Sequence, residues 1–162
     1  MPNETSQQLA RLVGERLKAS GIKMVSAESC TGGWIGMEVT AIAGSSDWYD
    51  RGFITYSNES KQQMLNVSPL TLNNHGAVSE QTVLEMARGA LQNSQAQIAI
   101  AVSGIAGPAG GSADKPVGTV WLAWVYADKE IARLFHFQGD RLEIRRQAVI
   151  EGLRGLVNLL DG

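Results

Sequence analysis

A short segment rich in hydroxyl and glycine residues is the first candidate for chemistry in this sequence. It reads Glu-Ser-Cys-Thr-Gly-Gly over residues 28–33, between an apolar run that ends near Ala27 and a helical pattern that begins at Trp34. A strand followed directly by a helix leaves backbone N–H groups unpaired at the helix start, and such groups stabilise an anion. A reactive serine at position 29 could therefore work there.

The same segment has two interpretations that need no chemistry. Ser29 or Thr31 is of the residue type that caps a helix N-terminus. Gly32 and Gly33 permit either the close approach of a ligand to the backbone or tight packing of the helix against the sheet. Cys30 is a competing nucleophile because thiolates are intrinsically more nucleophilic than hydroxyls, but no histidine is evidently placed to activate it.

A serine nucleophile needs a general base, and both histidine and lysine are candidates. His75 lies in a predicted turn and His136 on a predicted strand, and neither has a distinctive setting. Lys61 follows the second predicted strand, whose carboxyl end could approach that of the first. A lysine base must be neutral, so burial or a nearby cation must lower its pKa by about three units, a cost of roughly 4 kcal/mol. Otherwise Lys61 is an ordinary solvated residue.

A glycine-rich segment, residues 103–111, follows the most apolar run of the chain. It contains too much glycine for a helix, and its successive N–H groups could bind a phosphate. It matches neither the dinucleotide-binding nor the P-loop pattern, so a flexible surface loop is the alternative. Four basic residues are possible phosphate partners, although a basic face on the final helix would look the same: Lys115, Arg141, Arg145 and Arg146.

These candidates need a scaffold, and the hydrophobic pattern predicts one of alternating helices and strands. Strands are predicted near residues 22–27, 51–56, 98–102, 119–127 and 131–137, with the third at the centre of the sheet. Helices are predicted to begin after Thr5, near Ser29, at Ser57 or Asn58, at Ser68, at Ser79 and at Asp140. The last two strands form an antiparallel hairpin. The pattern therefore predicts a three-layer α/β/α sandwich with a mixed, mostly parallel sheet.

Composition and charge restrict the class of protein. The chain has 162 residues, 44% of them hydrophobic, which predicts one globular domain over residues 1–162. A net charge of -2 gives no broad reason to expect a nucleic-acid or membrane partner. The single cysteine excludes an intramolecular disulfide and fits a reducing, cytoplasmic location. No apolar run approaches the roughly 18 residues that span a bilayer, so a soluble protein is expected.

Taken together and in order, seven motifs resemble the CinA carboxy-terminal domain family. They lie at residues 28–33, 44–46, 55–61, 75–79, 103–108, 115–120 and 139–141. The resemblance extends over residues 9–160. The amino-terminal domain that some members carry is absent from this sequence, so the resemblance is to the stand-alone members, the nicotinamide mononucleotide deamidases.

The resemblance implies an amidohydrolase that converts nicotinamide mononucleotide to nicotinate mononucleotide and ammonia, recycling a product of NAD breakdown, without a metal or other cofactor. It implies that Ser29 is the nucleophile, Lys61 its base, and Tyr56 a residue that assists proton transfer or orients the pair. The position of Ser103 often holds threonine in this family, and the change keeps a hydroxyl.

The mechanistic hypothesis assigns the remaining site residues to two tasks. N–H groups of the turn would hold the tetrahedral oxyanion, and the glycine-rich segment with an arginine would anchor the ribose phosphate. The oxyanion residues are Cys30, Thr31, Gly32 and Gly33. The phosphate residues are Ser103, Gly104, Gly107, Gly110 and Gly111, with Arg141 or Arg145.

Other interpretations stay open at this point. One is a non-catalytic nucleotide-binding or regulatory module of the same fold. Another is an acyl or peptide hydrolase that uses the same serine and lysine. A homodimer or higher homo-oligomer is also expected, with Trp121, Trp124 and Val125 of the predicted hairpin as a possible subunit seam.

Overall fold

A five-stranded sheet organises the chain, as seen in a computed structural model that describes residues 4–162. The strands are β1 Met24–Glu28, β2 Tyr49–Ile54, β3 Ile98–Gly104, β4 Thr119–Tyr126 and β5 Lys129–His136, in the spatial order β2-β1-β3-β4-β5. β1 pairs in parallel with both β2 and β3, whereas β4 runs antiparallel to β3 and β5. Because only β4 is reversed, the predicted mixed and mostly parallel sheet is confirmed.

Helices cover both faces of this sheet. They are α1 Ser6–Ser20, α2 Trp34–Thr40, α3 Asn58–Leu65, α4 Pro69–His75, α5 Glu80–Gln92 and α6 Arg141–Asp161, with a short 3-10 turn at Ser45–Asp47. One buried cluster joins α1, α2 and α6 to the sheet, and a second joins α3, α4 and α5 to its other face. The three-layer α/β/α sandwich predicted from the sequence is therefore confirmed.

The central strand β3 is buried on both faces, as its unbroken apolar run predicts. Ile98, Ile100 and Val102 belong to the core on the α6 side, and Ala99 and Ala101 belong to the core on the α5 side. Large side chains on one face and small ones on the other let α5 approach the sheet closely. A rigid β3 results, and its carboxyl end carries the glycine-rich segment.

Several boundaries differ from the sequence prediction. α2 begins at Trp34 because Gly32 and Gly33 have φ angles of 60° and 105°, which are incompatible with a right-handed helix. Ser103 continues β3 instead of opening the loop. His75 is the last residue of α4, so its assignment to a turn was wrong.

The predicted hairpin seam is also wrong for two of its three residues. Trp124 is 2% exposed and donates a hydrogen bond from its indole N–H to the carbonyl oxygen of Gly152 in α6, at 2.9 Å. Val125 is buried under α5. Both side chains stabilise the chain's own core, because helices cover β4 on both faces. The expected homo-oligomer stays a prediction. No helix within residues 4–162 is long and apolar enough to cross a membrane.

Candidate active site

The carboxyl ends of the three parallel strands meet at one edge of the sheet, where ligands gather in open α/β folds. Register places Glu28, the last residue of β1, beside Ile54 of β2 and Val102 of β3. Ser29 therefore emerges between the two neighbouring strand ends. The chain leaving β2 turns at once into α3, because the Ser57 side chain caps that helix by accepting a hydrogen bond from the Ser60 N–H at 3.1 Å.

This connection brings the amine of Lys61 to the hydroxyl of Ser29. Lys61 lies in the first turn of α3, and its side chain reaches back under the end of β2. Its Nζ donates hydrogen bonds to Ser29 Oγ at 2.9 Å and to the backbone oxygens of Thr55 at 2.7 Å and Tyr56 at 3.2 Å. Lys61 is 1% exposed and Ser29 8% exposed, so the pair is shielded from bulk water.

Burial shifts the pKa of Lys61 and that of the neighbouring Cys30 thiol. Desolvation lowers the pKa of Lys61 from 10.5 to about 8, and its three hydrogen-bond acceptors carry no formal charge that would reverse the effect. Desolvation also raises the pKa of the Cys30 thiol to about 11. Near pH 8 the thiol is therefore neutral and a poor nucleophile, while the lysine is half deprotonated.

A buried carboxylate occupies the start of α2. Glu28 is 2% exposed, and its oxygens accept hydrogen bonds at 2.6 to 3.2 Å. The donors are Thr31 Oγ1 and the N–H groups of Gly33, Ile35 and Gly36. The anion-stabilising helix start that the sequence predicts therefore has an internal occupant, and the Gly33 N–H is used by the protein itself.

Two N–H groups of the turn remain without a partner. Gly32 N donates to the carbonyl oxygen of Ser29 at 3.1 Å. The backbone N–H groups of Cys30 and Thr31, by contrast, donate to no other residue within the part of the chain that the structure describes, residues 4–162. Of the four predicted oxyanion residues, only Cys30 has both an unpaired N–H and some exposure, at 7%. Thr31 is 0% exposed, and the N–H groups of Gly32 and Gly33 are bonded within the protein.

Arg145 lies against the outside of the same turn. Its Nε donates to the carbonyl oxygen of Cys30 at 3.0 Å and its Nη2 to that of Thr31 at 3.2 Å. The guanidinium also lies over the Trp34 ring, 5.4 Å from its centroid. The phosphate role predicted for Arg145 therefore has no support from its placement, since its polar contacts are with the backbone of the turn.

An open cavity of about 310 Å³ lies above the serine–lysine pair. Predicted site residues form much of its wall: Ser29, Cys30, Tyr56, Lys61, Ser103, Gly104, Gly107, Gly110 and Arg141. Thr31, Gly32, Gly33, Gly111 and Arg145 do not line it. Gly111 packs instead against Val117, where an added Cβ would lie 2.8 Å from the backbone nitrogen.

Two cationic side chains hold the glycine-rich segment and the chain that follows it. Arg141, the first residue of α6, donates from Nη1 to the Gly107 carbonyl oxygen at 2.7 Å. Lys115, four residues beyond the segment, donates from Nζ to the His75 carbonyl oxygen of α4 at 2.7 Å. Gly107 is tied to α6 by Arg141, whereas residues 108–114 are exposed and the surface-loop interpretation stays a prediction for them. Arg146 forms an ion pair with Glu143 at 2.8 Å.

Tyr56 contributes to the site with two different groups. Its backbone oxygen accepts from Lys61, whereas its hydroxyl accepts a hydrogen bond from Arg141 Nη2 at 3.2 Å. The side chain is 63% exposed and touches Arg141 at the cavity wall. The structure thus brings the Tyr56 carbonyl, and not its phenol, to the serine–lysine pair.

Some residues of the site carry no role in the sequence analysis. Asn58, Ala77 and Val78 line the cavity. Asn58 lies one helical turn before Lys61, a spacing that could have indicated a shared face. Glu28 was part of a motif but had no assigned task, although a carboxylate at the end of an apolar strand is a signal in itself, since buried charges need partners. His136 is exposed on β5 and does not line the cavity.

Fold and site together define an α/β protein with a buried serine–lysine pair at the carboxyl edge of its parallel strands. Residues 6–160 match the model of the CinA C-terminal domain, and the chain belongs to that family.

Individual relatives are similar to this chain along nearly its whole length. The chain is 54% identical over 157 residues to the nicotinamide-nucleotide amidohydrolase PncC of Escherichia coli strain K12, covering 96% of this chain and 95% of that protein. It is 50% identical to the protein of the same name from Enterobacter agglomerans, covering 95% and 94%. A crystal structure of the competence/damage inducible protein CihA from Agrobacterium tumefaciens superposes with a TM-score of 0.94 at 45% identity, covering 97% and 96%.

Proposed function

We propose that the chain hydrolyses the carboxamide of nicotinamide mononucleotide, giving nicotinate mononucleotide and ammonia, with Ser29 as nucleophile and Lys61 as general base. One observation carries the mechanism: a lysine amine that is 1% exposed lies 2.9 Å from a serine hydroxyl in the wall of an open cavity. The substrate class is supported by the names of relatives at 50 to 54% identity.

The hydrogen bonds around Lys61 suit a neutral amine. An uncharged lysine has two N–H bonds and one lone pair. The N–H bonds are satisfied by the carbonyl oxygens of Thr55 and Tyr56, which leaves the lone pair for the Ser29 hydroxyl. In this state the serine donates and the lysine accepts. Deprotonation of Lys61 therefore orients the serine oxygen for attack without moving a heavy atom.

The reaction then proceeds in two halves with the same proton carrier. Ser29 Oγ attacks the carboxamide carbon while its proton passes to Lys61, and the resulting oxyanion is stabilised by the unpaired N–H of Cys30, a residue that lines the cavity. Lys61 gives the proton to the departing nitrogen, which leaves as ammonia. A water molecule then attacks the acyl-enzyme, and its proton returns through Lys61 to Ser29. Atoms balance at one water consumed and one ammonia released.

One assay distinguishes this proposal from a non-catalytic nucleotide-binding module. The purified protein is incubated with nicotinamide mononucleotide, and ammonia and the acid nucleotide are quantified together. One ammonia per acid nucleotide formed supports the amidohydrolase. Tight binding of the nucleotide with no ammonia would instead support a nucleotide-binding module and end the proposal.

Activity is expected to rise with pH and level off near pH 8. Only neutral Lys61 is a base, and desolvation sets its pKa at about 8. Below that value the neutral fraction, and hence kcat/KM, increases about tenfold per pH unit, and above it the profile is flat. Initial rates between pH 5.5 and 9.5 test this. A profile flat down to pH 6 would contradict a lysine base.

Removal of the substrate phosphate is expected to weaken binding. Arg141, beside the Tyr56 hydroxyl, and the backbone of the glycine-rich segment form a polar part of the cavity wall, and they offer the charge and the donors that a phosphate requires. Nicotinamide riboside should therefore show kcat/KM lower by about 100-fold, mostly through KM, as expected for a lost charge-assisted contact. The substitution Arg141→Met should abolish this preference. Equal turnover of riboside and nucleotide by the unaltered protein would contradict the phosphate site.

A further inference from the structure

We propose that Ser103 is a further catalytic residue, whose hydroxyl donates a hydrogen bond to the oxyanion that forms when Ser29 attacks the carboxamide. The inference rests on the proposed function, and it replaces the phosphate-binding role predicted for Ser103. It starts from an unused polar group, because the Ser103 hydroxyl forms no hydrogen bond with any residue from 4 to 162. The residue is 1% exposed and lines the cavity, so this hydroxyl is available to a bound ligand.

Backbone pairing places Ser103 beside the nucleophile. The Ser29 N–H donates to the Val102 carbonyl oxygen at 3.1 Å, which extends the parallel pairing of β1 and β3 by one residue and sets Ser29 opposite Ser103. Side chains alternate along a strand, and Ala101, two residues before Ser103, packs in the core on the α5 side. Ser103 therefore projects toward the same side, and both hydroxyls line one cavity.

The nucleophile lies between its base and this second hydroxyl. β1 has β2 on one side and β3 on the other. The amine of Lys61 is bonded to the backbone oxygens at the end of β2, whereas Ser103 belongs to β3. Lys61 can therefore exchange the proton of Ser29 Oγ from one side while Ser103 contacts the substrate oxygen from the other. No amine or carboxylate is hydrogen-bonded to Ser103 Oγ among the described residues, so this hydroxyl has no base that would make it the nucleophile.

The turn after Ser29 needs such a second donor. Oxyanion sites in acyl transfer commonly combine the N–H of the residue after the nucleophile with a donor from another segment. Cys30 supplies the first of these, since its N–H is unpaired and the residue lines the cavity. Neighbouring strands lie about 4.8 Å apart. An oxyanion two covalent bonds from Ser29 Oγ can span that separation through a hydrogen bond of about 2.7 Å from Ser103 Oγ.

The experiment compares Ser103→Ala and Ser103→Thr with the matched control Ser94→Ala, near the opposite end of β3. The Ser94 hydroxyl is used by the protein itself, because it donates to the Leu91 carbonyl oxygen at 3.3 Å and accepts from the Ala96 N–H at 3.2 Å. Ser103→Ala should lower kcat for nicotinamide mononucleotide by about 100-fold, the scale of one lost oxyanion donor, with KM within about threefold. Ser103→Thr keeps a hydroxyl and should retain most of kcat, and Ser94→Ala should keep both constants.

Two further measurements distinguish a catalytic role from a structural one. In thermal melts Ser103→Ala should unfold at the temperature of the unaltered protein, since no hydrogen bond within the protein is lost, whereas Ser94→Ala should unfold at a lower temperature. The midpoint of the pH–rate profile near pH 8 should not move in Ser103→Ala, because Lys61 keeps its contacts. A lowered unfolding temperature or a shifted midpoint in Ser103→Ala would overturn the assignment, because Ser103 would then act through the fold or through the base.

The kinetic constants give two other contradicting results. A raised KM with intact kcat would make Ser103 a ligand of the bound substrate only, and unchanged constants would leave it without a role. Nicotinamide riboside checks the first of these, because loss of an oxyanion donor lowers kcat for riboside and nucleotide by the same factor. Loss of a phosphate ligand affects the nucleotide alone.

An independent readout separates this inference from the proposed function. p-Nitrophenyl acetate acylates a reactive serine through an oxyanion in the same place but contains no nucleotide, and its reaction with Ser29 should slow by a similar factor in Ser103→Ala. If the unaltered protein is acylated but leaves the mononucleotide intact, the proposed function fails while Ser103 is still judged by its effect on acylation. A protein with neither reaction overturns both.

Discussion

Replacing Ser29 by alanine is expected to lower ammonia release from nicotinamide mononucleotide by about 1000-fold or more, because the neighbouring Cys30 thiol, whose pKa burial raises to about 11, is a poor replacement nucleophile near neutral pH. Stability should hardly change. The hydroxyl makes one side-chain hydrogen bond, to Lys61, and the backbone of Ser29 is held independently by its N–H bond to the Val102 carbonyl at 3.1 Å. Steady-state kinetics of ammonia release and a thermal melt of the same preparation measure both quantities.

Cys30→Ala is the matched control, because it removes the neighbouring nucleophile from the same turn. Burial raises the pKa of that thiol to about 11, so the thiolate is scarce at neutral pH. The control should therefore retain most of its activity, with any loss reflecting packing. Full turnover in Ser29→Ala would exclude serine as the nucleophile, and an inactive Cys30→Ala beside it would transfer that role to the cysteine.

Local signals explain why the sequence predicts most of the fold. Thr5, Ser57 and Ser79 each cap the helix that follows them, and such capping depends on a few neighbouring residues only. Parallel order of the first strands follows from the intervening helices, because a crossover must return the chain to the same edge. Boundaries were less predictable where backbone conformation decided them, as at Gly33, whose positive φ delays α2.

The sequence indicated which residues form the site, but not which way some of their side chains point. A strand end, a cap and a lysine one turn into α3 made the meeting of Ser29 and Lys61 geometrically plausible, and the family resemblance assigned the two residues their roles. Arg145 differs, because it reaches Cys30 across 115 positions of sequence and only the packing of α6 decides which way its guanidinium points. The phenol of Tyr56 likewise turns to Arg141, 85 positions away. The hydrophobic periodicity of a sequence does not indicate which way a side chain points when its partner lies in a distant element.

A buried amine at this place is unfavourable for folding and useful for chemistry. The pKa of Lys61 falls from 10.5 to about 8, which corresponds to a free-energy cost of about 3 kcal/mol for keeping the charged form inside the protein below pH 8. The same cost makes the neutral base available near physiological pH. Activity and stability should therefore respond in opposite directions when this side chain loses its amine.

The substitution Lys61→Met tests both consequences in one protein. Loss of the base should lower kcat by about 100- to 10,000-fold, the usual contribution of a general base. Because the two residues act as a unit, the double variant with Ser29→Ala should be no less active than Ser29→Ala alone. At pH 7 the variant should unfold at a higher temperature, since methionine fills the same space without a buried charge.

The pH dependence of the free energy of unfolding shows whether the buried Lys61 has a lowered pKa. Between pH 8 and 10.5 the unfolded lysine keeps a proton that the folded one has lost, so the free energy of unfolding of the unaltered protein rises with pH in that window. Methionine does not titrate. The stability difference between Lys61→Met and the unaltered protein should thus shrink by about 3 kcal/mol from pH 7 to pH 10.5, as urea titrations at several pH values would measure.

The neighbouring Cys30 also affects the pH dependence, because its raised pKa makes the free energy of unfolding fall with pH in both proteins. The difference between the two proteins is therefore the quantity that isolates Lys61. A constant difference across this range would mean that the folded lysine keeps an ordinary pKa and cannot be the base.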